Sequence, residues 1–101
     1  MSETSIRLEE AAESDIAHAF EWYEATRAGL GDEFVAALAE SFERLVEWPE
    51  SSPVVHHDVR RTLLRRFPFS VYYLVDTETL VIIAVLHTAS NPVQWRRRVE
   101  D

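Results

Sequence analysis

The sequence predicts an α+β domain that combines an antiparallel pair of helices with an antiparallel sheet. Three observations predict this class. Apolar residues recur at helical spacing through residues 11–48, and strand-like apolar segments occupy residues 5–9 and 62–86. The apolar fraction of 47% in 101 residues is enough for one hydrophobic core. We therefore predict a single domain over residues 1–101, in the order strand, two helices, three-stranded meander and short helix (β-α-α-β-β-β-α).

The first half of the chain is predicted to carry one strand and the two helices. Residues 5–9 alternate apolar and polar side chains, which is typical of a strand with one buried face. An amphipathic helix follows to about Ala28, and Gly29 is expected to end it because glycine favours the position after a helix. The second helix runs to about Trp48, and its apolar stripe consists of Phe34, Leu38, Phe42 and Leu45.

The second half is predicted to form the antiparallel meander. Residues 62–65 lie in its first strand, and Pro68 marks the following turn because proline cannot donate to a central ladder. Residues 69–75 are rich in β-branched and aromatic side chains and form the second strand. Residues 80–86 are continuously apolar, which is typical of a central strand buried on both faces.

A short helix is expected over residues 92–99, because Asn91 is a favourable cap and Pro92 suits the first helical position. The spacing of apolar residues along all these elements also predicts the core. Its expected members are Ile6, Leu8, Ile16, Phe20, Phe34, Leu38, Phe42, Leu45, Val71, Tyr73, Ile83 and Val85.

The composition excludes several classes of function. The sequence contains no cysteine and only two glycines, so it has neither thiolate chemistry nor a glycine-rich phosphate loop. The longest apolar run, Leu80 to Leu86, is too short to cross a bilayer, and the N-terminus does not resemble a signal peptide. We expect a cytoplasmic chain with no membrane contact and no cofactor.

The net charge of −8 is unevenly distributed along the chain. Residues 1–50 contain three arginines and thirteen acidic residues, whereas residues 51–101 contain seven arginines and five acidic residues. Lysine is absent, so every fixed cation is a guanidinium, which can bind a carboxylate or phosphate through two bonds. The overall acidity argues against direct DNA binding by this chain alone.

Four arginines are predicted to share one strand, with Arg61 and Arg65 on one face and Arg60 and Arg66 on the other. One pair would then meet helix carboxylates such as Glu40 or Glu43, and the other would face outward. A solvated or internally paired strand and a site for an acidic partner both remain open.

The histidines do not predict a metal site. His56 and His57 are adjacent and would point to opposite faces of a strand, and neither lies four residues from another ligand. His87 follows a buried strand, where a structural hydrogen-bonding role competes with a catalytic one.

Several segments taken together resemble the toxins of the RelE/ParE superfamily. They are Trp22-Tyr23 in the first helix, Arg60 and residues 65–68 leading into residues 71–73, and residues 85–87 followed by Asn91-Pro92 and Trp95-Arg96. The resemblance covers essentially the whole chain and points to a ParE-like member. It implies a type II toxin–antitoxin toxin, silenced by a ParD-like or RelB-like antitoxin. Some members of the superfamily cleave mRNA on the ribosome, and others inhibit DNA gyrase.

The resemblance leaves three functions open. The first is inhibition of DNA gyrase by protein binding, with contacts from the C-terminal residues His87, Trp95, Arg96, Arg97 and Arg98. The second is ribosome-dependent RNA cleavage, for which the available residues are Arg61, Arg65, Tyr73 and His87. The third is antitoxin binding without toxicity.

Cleavage is disfavoured because the sequence has no lysine, reads Thr88-Ala89-Ser90 after the last strand, and has Gln94 and Trp95 where cleaving relatives place tyrosine. The antitoxin is expected to contact Arg60, Arg61, Arg65, Arg66, Trp22 and Trp48 under any of the three functions.

Overall fold

A computed structural model describes residues 4–100 as one five-stranded sheet with two long helices and one short helix. The elements in chain order are β1 (Ser5–Leu8), α1 (Glu10–Thr26), α2 (Leu30–Glu47), β2 (Val54–His56), β3 (Val59–Leu63), β4 (Phe69–Asp76), β5 (Thr79–His87) and α3 (Val93–Arg96). The predicted α+β class and helical hairpin are confirmed.

The strands lie in the spatial order β1-β5-β4-β3-β2, with β1 parallel to β5 and the other neighbours antiparallel. The meander therefore has four strands where the sequence predicted three. Strand β2 has only three residues and is joined to β3 by the turn His57-Asp58, so it is too short to show a periodicity.

The two long helices meet at a glycine turn, as predicted. Gly29 has φ 91°, a left-handed conformation that glycine adopts without strain, and α2 begins at the next residue. The Glu24 carboxylate of α1 accepts hydrogen bonds from the backbone N–H groups of Gly29 (2.9 Å) and Gly31 (3.0 Å). A residue of α1 thus satisfies free donors at the start of α2.

The face of the sheet under α1 and α2, here called the helical face, holds the larger core. Its centre is an aromatic cluster in which the ring centroids of Tyr23 and Phe34 lie 5.4 Å apart, and those of Phe34 and Phe67 lie 5.5 Å apart. Both residues of the first pair are buried, and burial raises the pKa of the Tyr23 hydroxyl.

The opposite face, here called the tail face, is covered by α3 and the residues that follow it. The Trp95 ring stacks on Tyr72 with a centroid distance of 4.5 Å and an interplanar angle of 21°. Trp95 is 4% exposed and belongs to a second cluster with Val59, Ile83 and Ala84. The sheet is therefore buried on both faces, as the continuously apolar β5 predicted.

Strand β5 contains a β-bulge where it pairs with Tyr72 and Tyr73 of β4. Tyr72 pairs with Ala84 and Tyr73 with Ile82, so Ile83 has no partner on β4, and both Ile83 and Ala84 join the tail-face cluster. The pairing of β1 with β5 ends at Ile82, and beyond it the Val85 N–H and the Ile83 carbonyl bind side chains.

Two side chains take these backbone groups. Asp15 of α1 accepts from the Val85 N–H at 3.0 Å, and Arg98 donates to the Ile83 carbonyl at 3.0 Å. Asp15 and Arg98 also bind each other through two short contacts of 2.6 and 3.0 Å. The C-terminal segment is thereby fixed to both the sheet and α1.

Most of the predicted core is confirmed. Seven members are buried, namely Phe34, Leu38, Leu45, Val71, Tyr73, Ile83 and Val85. Leu8, Ile16 and Phe42 pack partly buried against that core, and Phe20 is half-buried. Ile6 is wrong, since it is 37% exposed on β1, the outermost strand of the sheet.

Two predicted boundaries also differ from the structure. Strand β3 ends at Leu63, so Arg65 and Arg66 lie in the connection to β4 and not in the strand. Helix α3 spans four residues, whereas the sequence predicted eight, although Asn91 Oδ1 accepts the Val93 N–H at 3.0 Å as expected of a cap. Among the described residues, none of the helices combines the length and apolarity that a membrane crossing requires.

Candidate interaction surfaces

An apolar cleft lies between α1 and the end of the sheet. It has a volume of about 350 Å³ and is lined by Ala19, Trp22, Tyr23, Pro68, Phe69 and His87. Trp22 is 65% exposed and rests edge-on against Tyr23, with 5.1 Å between ring centroids. The helical period places Tyr23 in the core and leaves Trp22 at the solvent edge. An exposed aromatic beside a concave apolar surface is typical of a docking site for another protein.

His87 supplies the polar group at the rim of this cleft. Its ring contacts Phe69 edge-on at 5.5 Å, and its Nδ1 accepts a hydrogen bond from the Ala89 N–H at 3.0 Å. When the imidazole is neutral, this bond places the ring proton on Nε2. The side chain is exposed, so Nε2 is a donor available to a partner.

Arg65 and Arg66 reach back to acidic residues of α2. Arg66 lies 2.8 Å from Glu33, and Arg65 lies 3.8 Å from Glu40. Arg27 also contacts Glu33 at 3.2 Å, so that carboxylate has two guanidinium partners. Hydrogen bonds from Arg66 and then Arg27 lower the pKa of Glu33.

The predicted sharing of strand faces among the four arginines is wrong, because only Arg60 and Arg61 belong to β3. Arg66 has φ 73°, a left-handed conformation at the point where the chain turns towards β4. The expected contact with Glu40 does occur, but both Arg65 and Arg66 bind α2 from the connecting loop.

Arg60 makes a structural contact within the chain. Its guanidinium donates to the carbonyls of Ser52 (2.7 Å) and Glu50 (3.1 Å), which holds the loop after α2 against β3. Arg61 is exposed and pairs in register with Tyr72, a residue of the tail face. Of the two strand arginines, Arg61 is the one that a partner can reach.

Trp48 lies at the other end of the helical hairpin from Trp22. It is 63% exposed and lines a groove with Pro49, Val75 and Thr77. Tyr23 contacts Phe34, and Trp48 is fourteen residues further along the chain, which corresponds to ~21 Å of helix. The two exposed tryptophans therefore mark separate surfaces.

The C-terminal residues proposed for target contact divide into two groups. Trp95 is buried against Tyr72 and Arg98 is bound to Asp15, so the expected accessible aromatic anchor at Trp95 is wrong. Arg96 and Arg97 are exposed, and Arg96 lies 5.5 Å from the centre of the Trp95 ring. The prediction rested on residue types and on the family resemblance, since a four-residue helix has no measurable periodicity.

The residues considered for RNA cleavage are not brought together. Tyr73 is fully buried, and its hydroxyl donates to the Pro49 carbonyl at 2.8 Å. Its partner on β5 is Ile82, five residues from His87, which corresponds to ~17 Å along the strand. Arg61 lies at a tail-face position, whereas Arg65 contacts α2 on the other side of the sheet.

The sequence analysis considered His56 and His57 as metal ligands and rejected them, and it missed Glu100, which the structure brings beside them. His56, His57 and Glu100 place one potential ligand atom each within 4.8 Å of one another. The expectation that adjacent histidines diverge does not apply, because His57 lies in the turn after β2 and has φ 52°. The short hairpin could have been inferred from Val54-Val55-His56, but nothing in the sequence pairs it with Glu100.

The structure is a small α+β domain whose sheet is covered on both faces. Its exposed tryptophan and arginine side chains suit contact with other proteins. The family model of the ParE toxin of the type II toxin–antitoxin system parDE matches residues 6–92. The chain therefore belongs to the ParE toxin family. This confirms the resemblance to the RelE/ParE superfamily.

Two solved structures are similar in fold. The chromosomal ParDE toxin–antitoxin system from P. aeruginosa contains a chain with a TM-score of 0.74 and 19% identity, covering 83% of this chain and 95% of that one. The RelBE2 toxin–antitoxin complex from Mycobacterium tuberculosis gives a TM-score of 0.61 and 20% identity, covering 85% and 99%. Among curated protein sequences, none matches.

Proposed function

We propose that this ParE-family chain inhibits DNA gyrase by binding it, and that a ParD-like or RelB-like antitoxin neutralises it. The observation that carries the non-catalytic part is the dispersal of Tyr73, His87, Arg61 and Arg65 over both faces and different ends of the sheet. Metal-independent RNA cleavage needs a base, an acid and a phosphate clamp within hydrogen-bond reach of one substrate. A binding function requires only an accessible surface.

The antitoxin contact is proposed for the exposed guanidinium groups and the apolar cleft. The Arg65 and Arg66 side chains are 71% and 66% exposed, and exposed ion pairs contribute little to stability. Their bonds to α2 can therefore be exchanged for bonds to an acidic antitoxin segment at small cost. Arg61 adds a third guanidinium at a tail-face position, which an antitoxin segment would reach by passing around the edge of the sheet, and Trp22 offers an apolar contact on α1.

The proposed gyrase contact uses the exposed part of the C-terminal region. Arg96 and Arg97 project from α3, and His87 has a free Nε2 at the rim of the cleft. Trp95 serves indirectly, since its stacking on Tyr72 fixes the helix that carries the two arginines. Directional donors on a fixed element suit recognition of carboxylates and carbonyls on a protein.

Calorimetric titration with the cognate antitoxin tests the first contact. We expect Arg61→Ala, Arg65→Ala and Arg66→Ala to weaken binding, by about 2 kcal/mol or more wherever the arginine is desolvated in the complex. Arg7→Ala is the matched control, because Arg7 is an equally exposed arginine on the outer strand β1. Unchanged dissociation constants for all three variants would reject this surface.

Two activity assays test the target. Purified chain should inhibit supercoiling by gyrase, and Arg96→Ala and Arg97→Ala should weaken that inhibition while leaving the melting temperature unchanged. Primer extension on translating ribosomes should show no new ends. Codon-positioned cuts that disappear in His87→Ala would replace the proposal with ribosome-dependent cleavage. Silence in both assays would leave antitoxin binding without toxicity.

A further inference from the structure

We propose that His56, His57 and Glu100 form a binding site for a zinc-class transition-metal ion at the junction of the β2–β3 hairpin and the C-terminal segment. The three side chains come from positions 43 residues apart or more, except for the adjacent histidines. One ligand atom from each lies within 4.8 Å of the other two. This site is independent of the antitoxin and gyrase contacts proposed above.

The hairpin turn brings the two imidazoles to one side. His56 is the last residue of β2, and His57 begins the turn with φ 52°, so the alternation of a regular strand is interrupted between them. Their ring centroids are 4.1 Å apart, with 60° between the planes. The His56 ring also packs edge-on against buried Trp95, at 5.7 Å, which limits its orientations.

The carboxylate is delivered by the fixed C-terminal segment. The pair between Asp15 and Arg98 and the stacking of Trp95 on Tyr72 hold this segment against the tail face. Two residues beyond Arg98, Glu100 Oε2 lies 2.9 Å from His56 Nε2. The elements that carry the three ligands are thus positioned by contacts other than the metal.

The donor set matches zinc and similar ions. Zinc binds histidine nitrogen and carboxylate oxygen at ~2.0 to 2.2 Å, and four tetrahedral ligands at that distance are separated by about 3.3 to 3.6 Å. The ligand atoms already lie within 4.8 Å, so side-chain rotations alone can close the site. Imidazole disfavours magnesium and calcium, which prefer oxygen ligands. Water would complete the coordination.

Binding would replace a hydrogen bond with two metal bonds. His56 Nε2 is now hydrogen-bonded to Glu100 Oε2, and both atoms can bind the ion once the proton between them has moved to His56 Nδ1 or to solvent. The metal would then link the hairpin to the C-terminal segment directly. Because the three ligands come together only in the folded chain, metal binding should stabilise it.

The test uses full-length chain without a histidine tag, treated with EDTA and dialysed, and titrated calorimetrically with ZnCl₂. We expect one ion per chain, and at least tenfold weaker binding in His57→Ala and in Glu100→Gln. Both altered side chains are exposed, so these variants should fold. His18→Ala, at an exposed histidine of α1, is the matched control and should bind zinc like the parent.

Thermal unfolding and size-exclusion chromatography give independent readouts. Zinc should raise the melting temperature of the parent and of His18→Ala but not of the two site variants, and MgCl₂ should raise none. The chain should remain the same size when zinc is bound. Equal binding by all variants, no binding at 100-fold molar excess of zinc, or zinc-dependent dimerisation would each overturn the proposal.

Discussion

Asp15 and Arg98 form a two-point ion pair that joins α1 to the C-terminal segment across 83 residues of sequence. The pair is mostly shielded, since the side chains of Arg98 and Asp15 are 23% and 10% exposed. Each partner also binds a backbone group of β5. One pair therefore connects a helix on one face, the sheet, and the segment that covers the other face.

Removing one member of this pair should destabilise the chain strongly. We expect Arg98→Ala to lower the free energy of unfolding by about 3 kcal/mol, because Asp15 is left as a shielded and unpaired charge. Chemical denaturation measures the change. Arg97→Ala is the control, since its neighbouring side chain is exposed. Asp15→Asn removes the charge, while its amide oxygen can still accept from the Val85 N–H. The double variant Asp15→Asn with Arg98→Ala therefore measures the interaction between the two charges. If the losses of the two single variants simply add in the double variant, the charge interaction is contradicted.

The helical-face core should be far more sensitive than the adjacent outer surface of α2. Phe34 is fully buried among aromatic rings, and Phe34→Ala should cost about 3 to 5 kcal/mol of unfolding free energy through lost transfer energy and a cavity. Val35 is 41% exposed, so Val35→Ala should change stability by less than about 1 kcal/mol. Equal melting temperatures for the two variants would show that the face of α2 that carries Phe34 does not pack in the core.

The start of α2 should depend on a carboxylate from α1. Glu24→Gln keeps the shape of the side chain, but the two N–H groups of Gly29 and Gly31 donate to different carboxylate oxygens. The single amide oxygen of glutamine can accept only one of these bonds, and that bond is uncharged. Because charge-assisted bonds are about twice as strong as neutral ones, we expect a loss of about 1 to 2 kcal/mol in urea unfolding. Glu21→Gln removes the same charge from an exposed site on the same helix and serves as control. A loss of equal size there would assign the effect to net charge.

Glu33 should make stability depend on pH in the acid range. Arg66 and then Arg27 lower its pKa below the ordinary value of 4.5, so the ionised form favours the folded state. This contribution is fully present above pH 4.5 and is lost as the pH falls through the lowered folded-state pKa. Carboxyl NMR titration should show the low value, and Arg66→Ala should return it towards 4.5. Arg61→Ala should leave it unchanged, and a pKa at 4.5 in the parent would contradict the contacts.

The helices and long strands were predictable because apolar residues recur along them at a regular spacing. The apolar stripe of α2 placed Phe34, Leu38 and Leu45 in the core. The unbroken apolar run of residues 80–86 placed β5 between two covered faces. Gly29 was predictable for a different reason, because a left-handed residue is needed where one helix stops and the next begins.

The candidate surfaces were harder to predict because they depend on departures from regular structure. Arg65 and Arg66 lie in the loop after β3. The alternation of side chains along a strand does not predict where residues beyond its end point. The continuous apolar character of β5 conceals the bulge at Ile83, since either face accepts such side chains. Trp95 and Glu100 depend on the path of the C-terminal segment, which is set by the distant Asp15 and Tyr72.

The parallel pairing of β1 with β5 sets an order of events during translation. Ser5 pairs with Thr79, so the first strand is synthesised long before its partner exists. Both long helices also leave the ribosome before β4 and β5, and their apolar stripes have no sheet to cover until then. Such a nascent chain exposes apolar surface and is open to proteases and chaperones. Asp15 meets its counter-charge only after residue 98 has been added, so a partner that recognises the closed tail face distinguishes finished copies from unfinished ones.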